Sequence, residues 1–124
     1  MKLLNNFYEI LSESHEDGIY GYLIRFNPEH FIYKAHFPGE PITPGVCIMQ
    51  IAQELAGLAA GKQLEICSVK NIKFLKTISP LENPEVRYIF KLETQGNGKV
   101  NISAEILSEN DIFAKLSFLC RTVS

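Results

Sequence analysis

The chain has 124 residues, 46% of them hydrophobic, which suits one soluble domain with a real core and leaves too little for a second. Its formal charge of -2 comes without any basic block, which argues against nucleic acid as a partner, and no apolar run approaches membrane-spanning length. Met1-Lys2-Leu3-Leu4-Asn5-Asn6 has too little apolar sequence before Asn5 for a signal peptide, so a cytoplasmic location is expected. Residues 7–15 and 19–26 read as two extended segments joined by Glu16-Asp17-Gly18, a hairpin-type turn with glycine last. Asn27-Pro28-Glu29-His30 then breaks the strand. After a Pro- and Gly-rich loop, residues 44–60 are rich in Ala, Leu, Gln, Glu and Met and predict a helix that stops at Gly61. Four extended stretches follow, at 65–78, 84–94, 99–107 and 111–122. Alternation is clearest late in the chain, where Val86, Tyr88, Phe90 and Leu92 share a face, as do Val100, Ile102, Ala104 and Ile106, and Ile112, Ala114, Leu116, Phe118 and Cys120. Gln95-Gly96-Asn97-Gly98 and Ser108-Glu109-Asn110 supply the turns between them.

The helix predicted over 44–60 is apolar around most of its circumference. Gln50, Gln53, Glu54, Gly57 and Gly61 form one narrow polar stripe at i, i+3, i+4, i+7 and i+11. Such a helix must be covered on several sides, which a curved sheet wrapping it accomplishes, so the fold class is α+β, a single domain over 1–124. The stripe is left facing water, a subunit interface or a channel. Cys47, Cys67 and Cys120 are odd in number and lack metal-ligand spacing, and are expected to be small buried apolar residues.

The loop His36-Phe37-Pro38-Gly39-Glu40-Pro41-Ile42-Thr43-Pro44-Gly45-Val46 joins a lone imidazole to a helix start. Its prolines steer Phe37, Glu40 and Thr43 away from helix. Thr43 reads as the N-cap and Pro44 as the first helical residue, leaving the amides of Gly45, Val46 and Cys47 unpaired. Unpaired amides at a helix start favour an oxygen that gains negative charge, and Gly45 permits close approach to its backbone. A base beside an oxyanion site is an enolate-forming arrangement. His15 and His30 lack such context and read as structural or solvated.

Helix wrapped by sheet, together with His-Phe-Pro-Gly-x-Pro-Ile-x-Pro-Gly-Val at 36–46, resembles the hotdog-fold (3R)-hydroxyacyl-[acyl carrier protein] dehydratases of the FabZ/FabA type. Asn27-Pro28-Glu29-His30-Phe31 before the loop and Ile72-Lys73-Phe74-Leu75-Lys76 with Pro80 after the helix extend the likeness, while Leu81-Glu82 replaces a frequent Gly-Asp. The resemblance implies loss of water from a 3-hydroxyacyl thioester, carried by acyl carrier protein or coenzyme A, to give a trans-2-enoyl thioester in fatty-acid or polyketide-type synthesis. It implies no metal and no redox cofactor. His36 takes the place of the family's base, the Gly45 amide polarises the thioester carbonyl, and Phe37 and Val46 fall at the substrate. The family's helix carboxylate, fourteen residues after the histidine, is here Gln50. An amide can hydrogen-bond a hydroxyl or a water but delivers no proton readily, and losing a general acid typically costs about 10² to 10⁴ in rate.

Two repairs suggest themselves. Glu54 lies one turn on along the same stripe, about 6 Å by helix rise, within reach of a water relay, and its alternative is a polar residue facing water or bonded at an interface. A partner hotdog protein in a heteromer is the other source of a carboxylate. The resemblance further implies a homodimer or trimer of dimers, with His36 facing backbone donors in a cleft that two copies build together. Alternative functions are acyl thioester hydrolysis and a non-catalytic acyl-binding subunit that needs a partner. Lys70, Lys73, Lys76, Arg87 and Arg121 are candidates for a rim that docks an acidic carrier protein, against the plainer reading of solvated strand residues.

Overall fold

In a computed structural model describing residues 2–36 and 39–123, the elements run β1 (Tyr8–Glu16), β2 (Ile19–Phe26), α1 (Phe31–Ala35), α2 (Gly45–Ala60), β3 (Leu64–Phe74), β4 (Glu85–Gln95), β5 (Lys99–Ser108) and β6 (Asp111–Thr122). The strands form one antiparallel sheet in the order β1-β2-β4-β5-β6-β3. The expected turns close it. Asp17 and Gly18 both take positive φ between the paired Glu16 and Ile19, which is the twist a two-residue hairpin loop requires. Asn97 and Gly98 do the same before Lys99.

The inner face of the sheet is the one that alternation predicts. Tyr22, Ile24 and Phe26 of β2, Val86, Tyr88 and Phe90 of β4, the four named residues of β5, and Ala114, Leu116, Phe118 and Cys120 of β6 are all buried. Against them α2 buries Cys47, Ile48, Met49, Ile51, Ala52, Leu55 and Ala56. Each large side chain so covered stabilises the fold by roughly 1.5 to 3 kcal/mol. Tyr88, wholly buried, donates its hydroxyl to the Ile48 carbonyl at 3.0 Å and so ties sheet to helix with a satisfied polar group. Gly61 ends α2 in the left-handed conformation at φ 70°, as expected.

Four sequence expectations need correction. The short helix α1 follows the Asn27–His30 break, and its first turn is capped by the His30 ring, whose Nδ1 accepts from the Ile32 amide at 3.1 Å. The strand expected over 65–78 ends at Phe74, because the Leu75 and Lys76 amides both turn to the Phe113 carbonyl and leave the ladder. Ile112 is only half-buried while Phe113 is buried, owing to the register shift beside Ile106 and Leu107. Cys47 and Cys120 are buried as expected, but Cys67 is exposed, since a register shift between Ile66 and Ser68 turns it outward on edge strand β3. Among the described residues no helix is long and apolar enough to cross a membrane.

Candidate functional site

His36 follows α1 directly, its amide donating to the Ile32 carbonyl at 3.0 Å. Three residues earlier, Tyr33 is buried, and its hydroxyl lies 2.8 Å from Thr43 Oγ1, which is buried too. That bond joins the two ends of the loop: the helical turn leading to His36 and the residue two before Gly45. A second anchor is the Thr43 amide, which donates to the Ile78 carbonyl at 2.8 Å, a contact that the departure of residues 75–78 from β3 makes available. Phe37 lies outside the described residues.

Thr43 is therefore not the helix cap that the sequence suggests. Its hydroxyl is spent on Tyr33, whose buried phenol would otherwise lack a partner, and Pro44 takes the N-cap position with extended φ −62° and ψ 144°. The helix begins at Gly45, one residue later than expected. The amides of Cys47 and Ile48 both donate to the Pro44 carbonyl, at 3.0 and 3.1 Å. Two amides, Gly45 and Val46, remain without an acceptor among the described residues, where three were expected. Burial raises the Cys47 thiol above its ordinary range, which disfavours a thiolate in this first turn.

The Phe74 ring lies across Gly45. A Cβ at that glycine would come within 2.9 Å of the ring's tip, so glycine is what lets the aromatic edge sit on the backbone of the helix start. Val46 is 68% exposed, and Phe74 and Leu75 about half, leaving an apolar patch beside the two bare amides. The sequence reading missed both Phe74 and Tyr33. Phe74 stands within the Ile72–Lys76 match to the family, but only the fold reveals that its ring meets Gly45.

The polar stripe of α2 is occupied. Gln53 accepts the Ile66 amide at 2.8 Å and pins the start of β3. Glu54 accepts four hydrogen bonds: the Leu4 amide at 2.9 Å and the Tyr8 hydroxyl at 3.0 Å on Oε1, and the Leu3 amide at 2.7 Å and Gln50 Nε2 at 2.8 Å on Oε2. The stripe thus faces the N-terminal segment and the base of β3. A groove of about 520 Å³ runs between them, lined by Gln50, Gln53, Glu54, Leu4, Leu58 and Lys62 among others. His36 does not line it and is exposed, so among the described residues this groove holds Gln50 and Glu54 but neither His36 nor Gly45.

Of the candidate basic rim, Arg121 pairs with Glu65 at 2.8 Å and Lys76 with Asp111 at 3.2 Å. Lys70, Lys73 and Arg87 are exposed and have no ion pair among the described residues. His15 is exposed and stacks on Tyr20 with ring centroids 4.0 Å apart.

Residues 12–115 match the ApeI-like family, described as ApeI dehydratase. A 3-hydroxyacyl-[acyl-carrier-protein] dehydratase FabZ of Thermus thermophilus is 27% identical over 109 residues, 82% of this chain and 75% of the relative. The match to the FabZ of Lactobacillus helveticus, 25% identical, covers 77% of this chain and 68% of the relative, and some FabZ relatives are matched over as little as 43% of their length. Among solved structures, the dehydratase heterocomplex ApeI:P of Xenorhabdus doucetiae superposes with a TM-score of 0.65 at 15% identity, over 90% of this chain and 96% of that one. At that identity the superposition carries the fold alone, and it is the hotdog fold expected.

Proposed function

We propose, from the premise that this chain belongs to the ApeI-like dehydratase family, that it removes water from 3-hydroxyacyl thioesters to give trans-2-enoyl thioesters, in a homodimer whose sites span two chains. The observation that carries the reading is the pinned loop. Tyr33 and Thr43 tie the His36 turn to a helix start that offers two bare amides, the geometry an enolate-forming site needs. His36 takes the C2 proton. The Gly45 amide stabilises the charge that develops on the thioester oxygen, a contribution of roughly 3 to 4 kcal/mol for one well-placed donor. The C2–C3 double bond forms as the C3–O bond breaks, and the hydroxide that leaves, held at Gln50, takes up the proton that His36 removed from C2 and departs as water. The exposed apolar patch at Val46, Phe74 and Leu75 and the edge of β3 are where a second copy would cover the site.

Acyl carrier protein or coenzyme A serves as the thioester carrier, with the exposed Lys70 and Lys73 on β3 suited to an acidic one. Purified protein should interconvert 3-hydroxyacyl and 2-enoyl thioesters, and His36→Ala should abolish this while leaving the circular dichroism and melting curve unchanged. Retained turnover in that variant would remove His36 from the chemistry.

A partner-dependent subunit is the second reading. Gln50 stands where the family has an acid, and the neighbouring carboxylate already receives four donors, so a second hotdog protein supplying a carboxylate would complete the site. Turnover that appears only on adding such a protein favours it. Thioester hydrolysis is less well supported, because the stripe's one carboxylate, Glu54, already accepts four hydrogen bonds and is poorly placed to activate a water; release of free thiol from acyl thioesters would favour it.

A further inference from the structure

We propose, resting on the dehydratase reading above, that His30 is a positioning residue for that reaction: by capping α1, its ring fixes the turn that presents His36 to the substrate. His30 Nδ1 accepts the Ile32 amide at 3.1 Å. Only an unprotonated ring nitrogen can accept a hydrogen bond, so the capping imidazole is neutral, with its proton on Nε2. The donor's chemistry settles a tautomer that the shape of the ring leaves open.

The cap matters because α1 has few bonds of its own. Its five residues are too short for a helix to hold in isolation, since nucleation fixes several residues before the first hydrogen bond closes. The Tyr33 amide reaches back to the His30 carbonyl at 3.0 Å, and the His36 amide to the Ile32 carbonyl at 3.0 Å. Ile32 is therefore gripped at both of its backbone groups, its N–H by the His30 ring and its C=O by His36. One peptide unit on either side of a single residue links the capping histidine to the backbone of the proposed base.

His30 is held in turn. Its amide donates to the Asn27 carbonyl at 3.2 Å, and the Asn27 amide donates to the Phe7 carbonyl at 2.8 Å. Its ring meets the buried Phe7 edge-on with centroids 5.2 Å apart, and Phe31 stacks on it at 4.7 Å. Phe7 also stacks on Tyr33 at 4.8 Å, so the cap and the Tyr33–Thr43 anchor rest on the same buried ring. The anchor sets where the turn lies, and the cap sets the path of its backbone. A misplacement of about 1 Å at a reacting group is worth as much as a hundredfold in rate.

Two substitutions separate the hydrogen bond of the ring from its packing. His30→Phe keeps an aromatic ring beside Phe7 and Phe31 but has no acceptor, whereas His30→Asn loses the ring and is a strong N-cap. His30→Phe should lower kcat by about ten- to a hundredfold with KM within about twofold, and His30→Asn should keep kcat within about threefold while melting at a lower temperature. The reverse order of the two variants, or the same kcat in both as in the wild type, would overturn the proposal. Long-range ¹H–¹⁵N spectra of the wild type above neutral pH, with His30 assigned through its backbone, decide the cap even where a variant fails to fold. They should show a protonated Nε2 and a bare Nδ1, and a proton on Nδ1 would overturn the proposal. A wild type without turnover would sink the dehydratase reading and this role with it, whereas an active wild type matched by His30→Phe would sink this role alone.

Discussion

Exchanging the two stripe residues, Gln50→Glu together with Glu54→Gln, should return an acid to the family's position and raise kcat for dehydration. The gain expected is about 10² to 10⁴, the usual worth of a general acid, or roughly 3 to 5 kcal/mol in the barrier. The exchange has a structural cost. A glutamine at 54 offers one acceptor oxygen to Leu3, Leu4 and Tyr8, which now share two, so at least one donor loses its partner, at about 1 to 3 kcal/mol of stability. The single variant Gln50→Glu behaves differently. It sets two carboxyls where an amide now donates at 2.8 Å, and two charges about 4 Å apart repel by roughly 4 kcal/mol near a protein surface. That pair retains one proton in the folded state, so its stability is full at low pH and falls as pH rises through the raised folded value. The assay is the ultraviolet absorbance of the conjugated enoyl thioester under saturating substrate, alongside melting curves of all three variants. A folded double variant whose kcat matches the wild type would refute the reasoning, since the missing acid would then not limit the rate.

Gly45→Ala should lower kcat by up to about a hundredfold with little loss of stability, because the new methyl would lie only 2.9 Å from the present position of the Phe74 ring tip and push it into the path to the amide; a crystal structure with the ring unmoved, or unchanged kcat, would contradict this. Tyr33→Phe and Thr43→Val should each destabilise by about 1 to 3 kcal/mol in denaturant melts by stranding the other's hydroxyl, and the double variant should cost less than the sum. Full additivity would mean that the two hydroxyls do not act as a pair. Tyr8, Tyr33 and Tyr88 have folded-state values raised by burial, and the Cys120 thiol is pushed up to about 12. Their protonated forms are favoured by folding, so stability is intact below the ordinary thiol value near 9, then falls above it for Cys120 and above the ordinary tyrosine value near 10 for the phenols, by about 1.4 kcal/mol per pH unit per group. The three phenols should therefore ionise, by absorbance, only as the protein unfolds at alkaline pH; titration of all five tyrosines before unfolding would contradict the packing.

The strands and α2 were legible because their signals are periodic and local: alternation on β4, β5 and β6, Gly61 at a left-handed stop, and positive-φ residues in the turns. What local reading missed was decided by partners distant in sequence. Thr43 has the chemistry of an N-cap, but the phenol ten residues before it claims its hydroxyl. Glu54 reads as an acid in search of a proton acceptor until the amides of Leu3 and Leu4, some fifty residues away, converge on it. α1 is five residues long and its cap is a histidine ring, a donor–acceptor use that composition does not announce. The candidate site divides the same way. The His36 loop and Gly45 are contiguous in sequence and so were visible, whereas the Phe74 ring over Gly45 needs β3 folded beside the helix start.

The central claim, that the His36 imidazole removes the C2 proton beside the Gly45 amide, is tested most directly by incubating a 3-hydroxyacyl thioester with the protein in deuterated water and following C2 by mass spectrometry. A site with its base and oxyanion donor in place but only an amide at the hydroxyl should incorporate deuterium at C2 faster than it loses water, and His36→Ala should do neither. Exchange in His36→Ala at the wild-type rate, or none in the wild type, would contradict the assignment.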